Sequence, residues 1–302
     1  WCIHIDGRVR SEARKQLILD LSREEVCNAV IEMLTNVLKS APISYVKWDM
    51  NRNMTEIGSA AWSAKKQKEI AHRYMLGLYK ILENITSNFP NILFESCSGG
   101  GGRFDGGMLY YMPQTWTSDD TDAIERLKIQ EGTSLVYPAS TMGSHVSAVP
   151  NHQVHRITPL HTRGVVAMAG SFGYELDVTK MTDEEKEEVK SQVEFYKDIR
   201  KTIQFGDLYR LKSAFDSNEA AWMNISKDGN NIVVSYVKKY AEANVLPKRL
   251  RLKALDENSL YEVSETGEVF GGDELMYIGL EIGELNGDYQ ARSWALRKIQ
   301  EK

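Results

Sequence analysis

The feature that most constrains the fold is a repeated unit in which a short apolar segment runs into polar residues and is followed by a helical pattern. Ile43 to Trp48, Asn91 to Glu95 and Leu109 to Trp116 each begin such a unit. Strands that alternate with helices, with polar residues after each strand, are typical of a parallel α/β barrel, whose active sites lie at the carboxyl ends of the strands. The sequence therefore predicts a (β/α)8 TIM-type barrel.

Further elements of this region can be assigned from spacing. Ser22–Glu25 and Thr182–Glu185 have the spacing of a capping box, so each predicts the start of a helix. Ser134 to Tyr137 and Gly164 to Gly170 are short and apolar, and we expect them to be the fourth and fifth strands.

The pattern changes after Gly206, where short strand-like segments follow one another without helices between them. There are six of these segments: Ala221 to Ser226, Ile232 to Val237, Leu250 to Leu255, Leu260 to Val263, Leu275 to Ile282 and Tyr289 to Leu296. Turn residues such as Asp228-Gly229-Asn230 separate them, which is typical of an antiparallel sheet. We therefore predict two domains, the barrel over residues 1–205 and a small antiparallel β-sandwich over residues 206–302.

Lys47 and Asp49 stand at the end of the first predicted strand. Side chains alternate across a strand, so Lys47 and Asp49 project to the same side while Trp48 points to the other. An ammonium beside a carboxylate favours the ionised carboxylate, which is the form that a carboxylate nucleophile requires. A structural salt bridge at the rim of the sheet would give the same triplet.

A second carboxylate, Asp119, follows the third predicted strand. It could converge with Asp49 over one pocket, and two facing carboxylates are the machinery of glycoside hydrolysis. The gap between them decides between retention and inversion, and the sequence does not measure it. The neighbouring Asp120, Thr121 and Asp122 precede a helical pattern, so we expect one aspartate of this cluster to serve the helix, with Asp120 or Thr121 as its cap.

Other polar features carry weaker signals. The glycines Gly99 to Gly102 lack the GxGxxG spacing and a following Lys-Ser or Lys-Thr pair, so close approach of the backbone to a ligand such as a sugar explains them better than a phosphate cradle. Cys97 could be a nucleophile or a buried small residue. Four histidines, His145, His152, His155 and His161, have neither HExxH nor zinc-finger spacing. We predict no metal and no cofactor.

Composition excludes several partner classes. The formal net charge of −5 and the absence of a basic block argue against nucleic acid. No apolar run approaches the ~18 residues that a transmembrane helix needs, so we expect no membrane partner. Three cysteines without paired spacing suggest a reducing compartment, and we expect a cytoplasmic location.

Three segments together resemble the active-site segments of the glycoside hydrolase family 36 α-galactosidases: YVKWDMNR, ESCSGGGGRFD and WTSDDTDAIERLKIQ. They occur in the family's order, and MGSHVSAVPNHQ and GSFGYELD downstream also resemble it. The resemblance implies a retaining α-galactosidase with a (β/α)8 barrel and a C-terminal β-sandwich. Family members carry an N-terminal domain and the opening barrel strands before the segment that resembles Trp1, so we expect the barrel here to be incomplete at its N-terminal side.

The resemblance also assigns roles to individual residues. Asp49 matches the nucleophile and Asp119 the acid/base. The matched substrate-binding positions are Arg14, Lys47, Asn51, Cys97 and Gly100. The implied substrates are terminal α-galactosides of oligosaccharides such as melibiose and raffinose, and because family members are often oligomers, a homo-oligomer is allowed.

Three alternatives stay open at this point. The same two aspartates could serve an α-galactosyl transferase or an α-N-acetylgalactosaminidase. A catalytically silent fragment that only binds sugar is also compatible with the missing front of the barrel.

Overall fold

In the computed structural model, which describes residues 1–301, the chain divides into two units, and the first covers Trp1–Trp116. Its elements in chain order are α1 (Glu24–Ser40), β1 (Tyr45–Asp49), α2 (Ile70–Asn88), β2 (Leu93–Cys97), α3 (Gly106–Tyr111) and β3 (Gln114–Trp116). β1 pairs with β2 and β2 with β3, and both pairings are parallel.

The apolar core of the first unit lies on one face of these strands. The helix α2 contributes side chains at helical spacing, among them Leu78, Ile81 and Ile85, each at most 1% exposed. Val46 and Trp48 of β1 pack against the same core. The alternate residues of β1 therefore point to the other face, which positions the candidate site.

The second unit begins at Thr117 and continues the alternation of helices and parallel strands. Its first elements are α4 (Ala123–Ser134), β4 (Met142–Ser147), α5 (Leu160–Ala167), β5 (Ser171–Glu175) and α6 (Asp183–Phe205). β4 and β5 pair in parallel. Strand–helix alternation over the two units is that of a (β/α)8 barrel, of which residues 1–301 contain five strands. Within that range no helix combines the length and the apolarity needed to span a membrane.

An antiparallel β domain follows α6. Its elements are β6 (Asp207–Lys212), β7 (Glu219–Ile225), β8 (Asn231–Lys238), β9 (Arg249–Leu250), β10 (Ser259–Val263), β11 (Val269–Gly271), α7 (Gly272–Tyr277), β12 (Leu280–Glu281) and β13 (Gln290–Glu301). Six of these strands form one sheet in the order β11-β10-β13-β8-β7-β6, and β9 pairs with β12 in a small second sheet. The predicted fold class is confirmed.

Both faces of the large sheet are covered, which explains why β8 is apolar on both of its faces. Val234 and Tyr236 pack on the side of β9 and β12, whereas Val233 packs with Tyr196 and Ile203 of α6. The second layer of the sandwich is small because β9 and β12 contain two residues each.

Several predicted strands are wrong. Ser134 to Tyr137 lies at the end of α4, and Gly164 to Gly170 begins inside α5, while the fourth and fifth strands are β4 and β5. The residues of α5 from Thr162 to Ala167 are all buried, so this part of the helix has no exposed polar face, and its apolar run resembles a strand. The predicted strand Leu275 to Ile282 begins in α7.

Two local predictions near the first unit also need correction. Leu109 to Trp116 is not one strand, because α3 occupies its first part and only β3 is extended. The helix α1 forms without the capping box predicted at Ser22, whose hydroxyl instead donates to Asp20 Oδ1 at 2.5 Å. The box at Thr182–Glu185 is confirmed.

Glu219 of β7 is a buried carboxylate held by two lysines. It is 5% exposed, Lys212 donates to Oε2 and Lys248 donates to Oε1 at 2.5 Å. Burial raises the pKa of Glu219, but hydrogen bonds from Lys212, Lys248 and Tyr236 outweigh it and lower the pKa to about 2. A depressed carboxylate pKa stabilises the fold above the unfolded value and loses that contribution as the pH falls through the folded value.

Replacing Glu219 with glutamine should therefore lower the free energy of unfolding at pH 7 by about 2 to 3 kcal/mol. It should also flatten the loss of stability between pH ~4.5 and ~2. Urea unfolding at several pH values measures both effects, with Glu194→Gln on the exposed side of α6 as the matched control. Equal pH slopes in the wild type and Glu219→Gln would contradict this account.

Candidate active site

Strand β1 presents Lys47 and Asp49 on one face of the first unit. Val46 and Trp48 pack into the core on the opposite face, so alternation turns Lys47 and Asp49 away from it. The predicted arrangement of these two charges is confirmed. Asp49 is the last residue of β1, and it is exposed at the carboxyl end of the strand.

Two donors hold the carboxylate of Asp49. The side-chain amide of Asn51 donates to Asp49 Oδ2 at 2.5 Å. Cys97, the register partner of Asp49 on β2, forms a side-chain hydrogen bond with it. Burial, with a further contribution from Asp49, raises the pKa of Cys97 to about 11. The sulfur is thus a protonated thiol at neutral pH, which argues against Cys97 as a nucleophile.

The ammonium of Lys47 has two neighbours that sequence reasoning missed. Its Nζ lies 4.6 Å from the centre of the Trp116 ring and 3.9 Å from Glu95 Oε1. Lys47 and Glu95 are register partners on the parallel strands β1 and β2. A signal existed in the sequence, because alternation along β2 places Glu95 on the same side as Cys97.

The glycine run after β2 forms a tight turn. Gly99 and Gly100 have positive φ values of 55° and 85°, which glycine adopts without steric cost. The backbone amide of Gly100 hydrogen bonds to Cys97, and a Cβ on Gly102 would lie 2.6 Å from the Ser98 carbonyl oxygen. The turn itself thus requires glycine, and the approach of a sugar to Gly100 stays a prediction.

Arg103 ties together the carboxyl ends of β1 and β2. Its Nη2 donates to the Trp48 carbonyl at 3.3 Å and to the Cys97 carbonyl at 2.9 Å. Burial lowers the pKa of Arg103 from its usual value, and its charge interacts with Asp49. Arg103 thus fixes the strand ends and adds a positive charge near the candidate nucleophile.

Arg14, the predicted substrate-binding arginine, lies on an exposed turn of the first unit. Arg14 and Lys15 have positive φ values of 52° and 57°. For residues other than glycine this backbone costs on the order of 1 kcal/mol each, and such strain recurs at functional sites. Arg52, which follows β1, donates to the Ser11 carbonyl at 2.8 Å and so connects this loop to the segment after the strand.

Asp119 belongs to the second unit, where it is half-buried in the polar segment before α4. Consecutive side-chain turns shape this segment: the Asp120 amide donates to Ser118 Oγ, and the Asp122 amide donates to Asp120 Oδ1, both at 3.1 Å. Asp122 caps α4 by accepting two backbone amides at 3.0 Å. One aspartate serves the helix as predicted, but it is Asp122 and the predicted cap at Asp120 or Thr121 is wrong.

Arg126, which sequence reasoning also missed, holds this segment through three hydrogen bonds. It is 2% exposed and donates to Thr117 Oγ1 at 2.9 Å, to the Ser118 carbonyl at 3.3 Å and to the Gly143 carbonyl at 2.7 Å. Burial lowers the pKa of Arg126 to about 10, so it remains cationic at neutral pH. The guanidinium thereby links the segment around Asp119 to β4.

Replacing Arg126 with methionine should lower the free energy of unfolding by about 2 to 4 kcal/mol, because the buried Gly143 carbonyl and the half-buried Ser118 carbonyl and Thr117 hydroxyl lose a charged donor. Arg126→Lys is the matched control: it keeps the charge but not the planar fork, so an intermediate loss is expected. Urea unfolding measures both variants. A methionine variant as stable as the wild type would contradict the anchoring role.

The structure brings five predicted site residues together in the first unit: Lys47, Asp49, Asn51, Cys97 and Gly100. Arg14 lies on its own turn of that unit, and Asp119 is placed in the second unit. Across residues 1–301 no group of three or more His, Cys, Asp or Glu side chains is arranged to hold a metal ion.

Comparison with known proteins shows the family to which this chain belongs. The Melibiase family model matches residues 1–206, and the model of the glycosyl hydrolase family 36 C-terminal domain matches residues 219–296. The α-galactosidase AgaA of Geobacillus stearothermophilus is 62% identical over 301 residues, which are 100% of this chain and 41% of AgaA. The α-galactosidase Mel36A of Lactobacillus acidophilus is 50% identical over 299 residues, 99% of this chain and 41% of the relative.

A solved structure agrees with these matches. The crystal structure of a substituted AgaA in complex with raffinose superposes with a TM-score of 0.96 at 61% identity, covering 99% of this chain and 42% of that chain. The chain thus spans about two fifths of the length of the relatives that it matches. By these matches, the chain belongs to the melibiases of glycoside hydrolase family 36.

Proposed function

We propose that this chain carries the catalytic aspartates of an α-galactosidase that releases terminal α-galactosyl residues from oligosaccharides such as melibiose and raffinose. The observation that carries the proposal is the setting of Asp49: an exposed carboxylate at a strand end, held by Asn51 and Cys97 and close to Lys47 and Arg103. The relatives named α-galactosidases and the AgaA complex with raffinose support the choice of substrate.

The proposed reaction is a double displacement with retention. Asp49 attacks the anomeric carbon and forms a covalent galactosyl ester, while Asp119 gives its proton to the departing glycosidic oxygen. Asp119 then takes a proton from water, whose oxygen attacks the anomeric carbon and releases the Asp49 carboxylate.

Binding roles follow from the chemistry of the side chains. Lys47 and Arg14 donate to sugar hydroxyls, Asn51 orients the Asp49 carboxylate, and Cys97 with Gly100 lines the sugar. Cationic and amide donors suit hydroxyl recognition because each hydroxyl offers acceptor lone pairs. The turn at Arg14, with its strained backbone, supports a role beyond the fold for that residue.

We also propose a domain boundary near residue 206. The two family models end and begin on either side of it, at residues 206 and 219, and the antiparallel strands start with β6 at Asp207.

The test is turnover by the purified protein in its natural full-length context. We expect release of 4-nitrophenol from its α-galactoside and of galactose from melibiose and raffinose, with little action on the α-N-acetylgalactosaminide. Proton NMR should show α-galactose as the first product. A first product in the β configuration would contradict retention, and galactose binding without turnover would contradict the hydrolase.

A further inference from the structure

Glu95 is a buried carboxylate that the proposed reaction does not use. It lies in the middle of β2 and is 1% exposed. A buried carboxylate is costly to desolvate unless cations and hydrogen-bond donors surround it. Its partners therefore indicate why a charge is kept at this position.

The two oxygens of Glu95 have different surroundings. Oε2 accepts the hydroxyl of Tyr45 and the side-chain amide of Gln114, the latter at 3.3 Å. Oε1 accepts no hydrogen bond within the described residues, and it lies 3.9 Å from Lys47 Nζ. The two donors to Oε2 hold the carboxylate in place, and Oε1 is left to face the ammonium.

Lys47 is thereby placed between two groups. Its ammonium lies 4.6 Å from the centre of the Trp116 ring, which attracts cations, and near the negative Oε1 of Glu95. Lys47 and Asp49 share one face of β1, and Cys97, on the same side of β2 as Glu95, contacts Asp49. Glu95 and Trp116 together thus restrain the position of the Lys47 ammonium on the face of β1 that also carries Asp49.

We propose that Glu95 is a positioning residue, which holds the Lys47 ammonium where it meets the hydroxyls of the bound sugar. This inference rests on the proposed function. Stability alone does not require such a pair, because apolar residues of similar size often replace a buried ion pair without loss. A lysine has four flexible side-chain bonds, so a fixed counter-charge lowers the entropy that binding would otherwise cost.

The test is a double-mutant cycle on Lys47 and Glu95 with an aryl α-galactoside as substrate. Glu95→Gln keeps the size of the side chain and one acceptor oxygen for Tyr45 and Gln114, but it removes the charge. We expect KM to rise about tenfold while kcat changes less than about threefold, because a ground-state contact is lost. Lys47→Met should raise KM at least as much, and the double variant should match Lys47→Met alone.

Two controls separate positioning from general destabilisation. Glu219→Gln also removes a buried lysine-paired carboxylate, but in the antiparallel domain, and should leave KM unchanged. Tyr45→Phe removes one of the two donors that hold Glu95 but keeps the charge, so KM should rise by less than it does in Glu95→Gln. Thermal unfolding of each variant shows whether it is folded.

The KM values of the variants decide whether Glu95 positions Lys47. Multiplying effects of Lys47→Met and Glu95→Gln on KM, or an unchanged KM in a folded Glu95→Gln, would overturn the inference. If Glu95→Gln does not fold, the double variant is measured instead, because it has no unpaired lysine. A KM for the double variant that differs from the KM of Lys47→Met would then overturn the inference. If the wild type shows no turnover, the proposed function fails by itself, and the same cycle on the Kd for galactose tests the positioning role.

Discussion

Asp49→Ala is expected to reduce kcat for an aryl α-galactoside by at least about 10⁴-fold, because the covalent intermediate loses its only proposed nucleophile. KM for the residual activity should change little, since Lys47 and the other donors remain. The fold should be retained, because Asp49 is an exposed strand-end residue. Asp198→Ala, an exposed carboxylate on α6, is the matched control and should keep full activity.

Azide sharpens this prediction by supplying an external nucleophile. In Asp49→Ala, azide should attack the anomeric carbon directly from the face opposite the leaving aryl group, so the product is the β-galactosyl azide. More than a few per cent of wild-type activity in a pure Asp49→Ala preparation would contradict the nucleophile assignment. So would an α-galactosyl azide from this variant.

Asp119→Ala is expected to show the second-largest effect, and its size should depend on the leaving group. For raffinose, whose leaving oxygen needs a proton, kcat/KM should fall by about 10³ to 10⁴-fold. For an aryl α-galactoside with an acidic phenol the first step needs less acid assistance, so the covalent intermediate should accumulate and the steady-state rate should then be limited by its hydrolysis.

The two variants should differ in their response to azide. In Asp119→Ala the azide attacks the galactosyl ester on Asp49, so two inversions give the α-galactosyl azide and the aryl substrate is turned over faster. A pre-steady-state burst of phenol measures the accumulation. Equal losses on raffinose and the activated aryl substrate, without a burst, would contradict the acid/base assignment of Asp119.

The charged face of β1 could be predicted because it depends on one local rule. Alternation along a strand places Lys47 and Asp49 together whatever the rest of the chain does. The helix α5 could not be predicted in this way, since the burial of every residue from Thr162 to Ala167 removes the polar face that marks a surface helix. The predicted fifth strand therefore falls on the apolar run of α5 instead of on β5.

The supporting charges of the site were missed for a related reason. Arg126 donates to the carbonyl of Gly143, and Arg103 donates to the carbonyl of Trp48. Their partners are therefore backbone atoms far away in the sequence, which no sequence pattern marks. Glu95 meets Lys47 only through the register of two strands. Residues such as these become visible when the pairing of strands is known.

The most direct test of the central claim is to trap the intermediate on the intact enzyme with a fluorinated galactosyl fluoride. Such a reagent forms the ester quickly, and the fluorinated ester is then hydrolysed slowly. Peptide mass spectrometry should then find one galactosyl label, on Asp49, and enzyme activity should be lost in step with labelling. The Asp49→Ala variant should stay unlabelled. A label on another residue, or inactivation without a covalent label, would contradict the double displacement through Asp49.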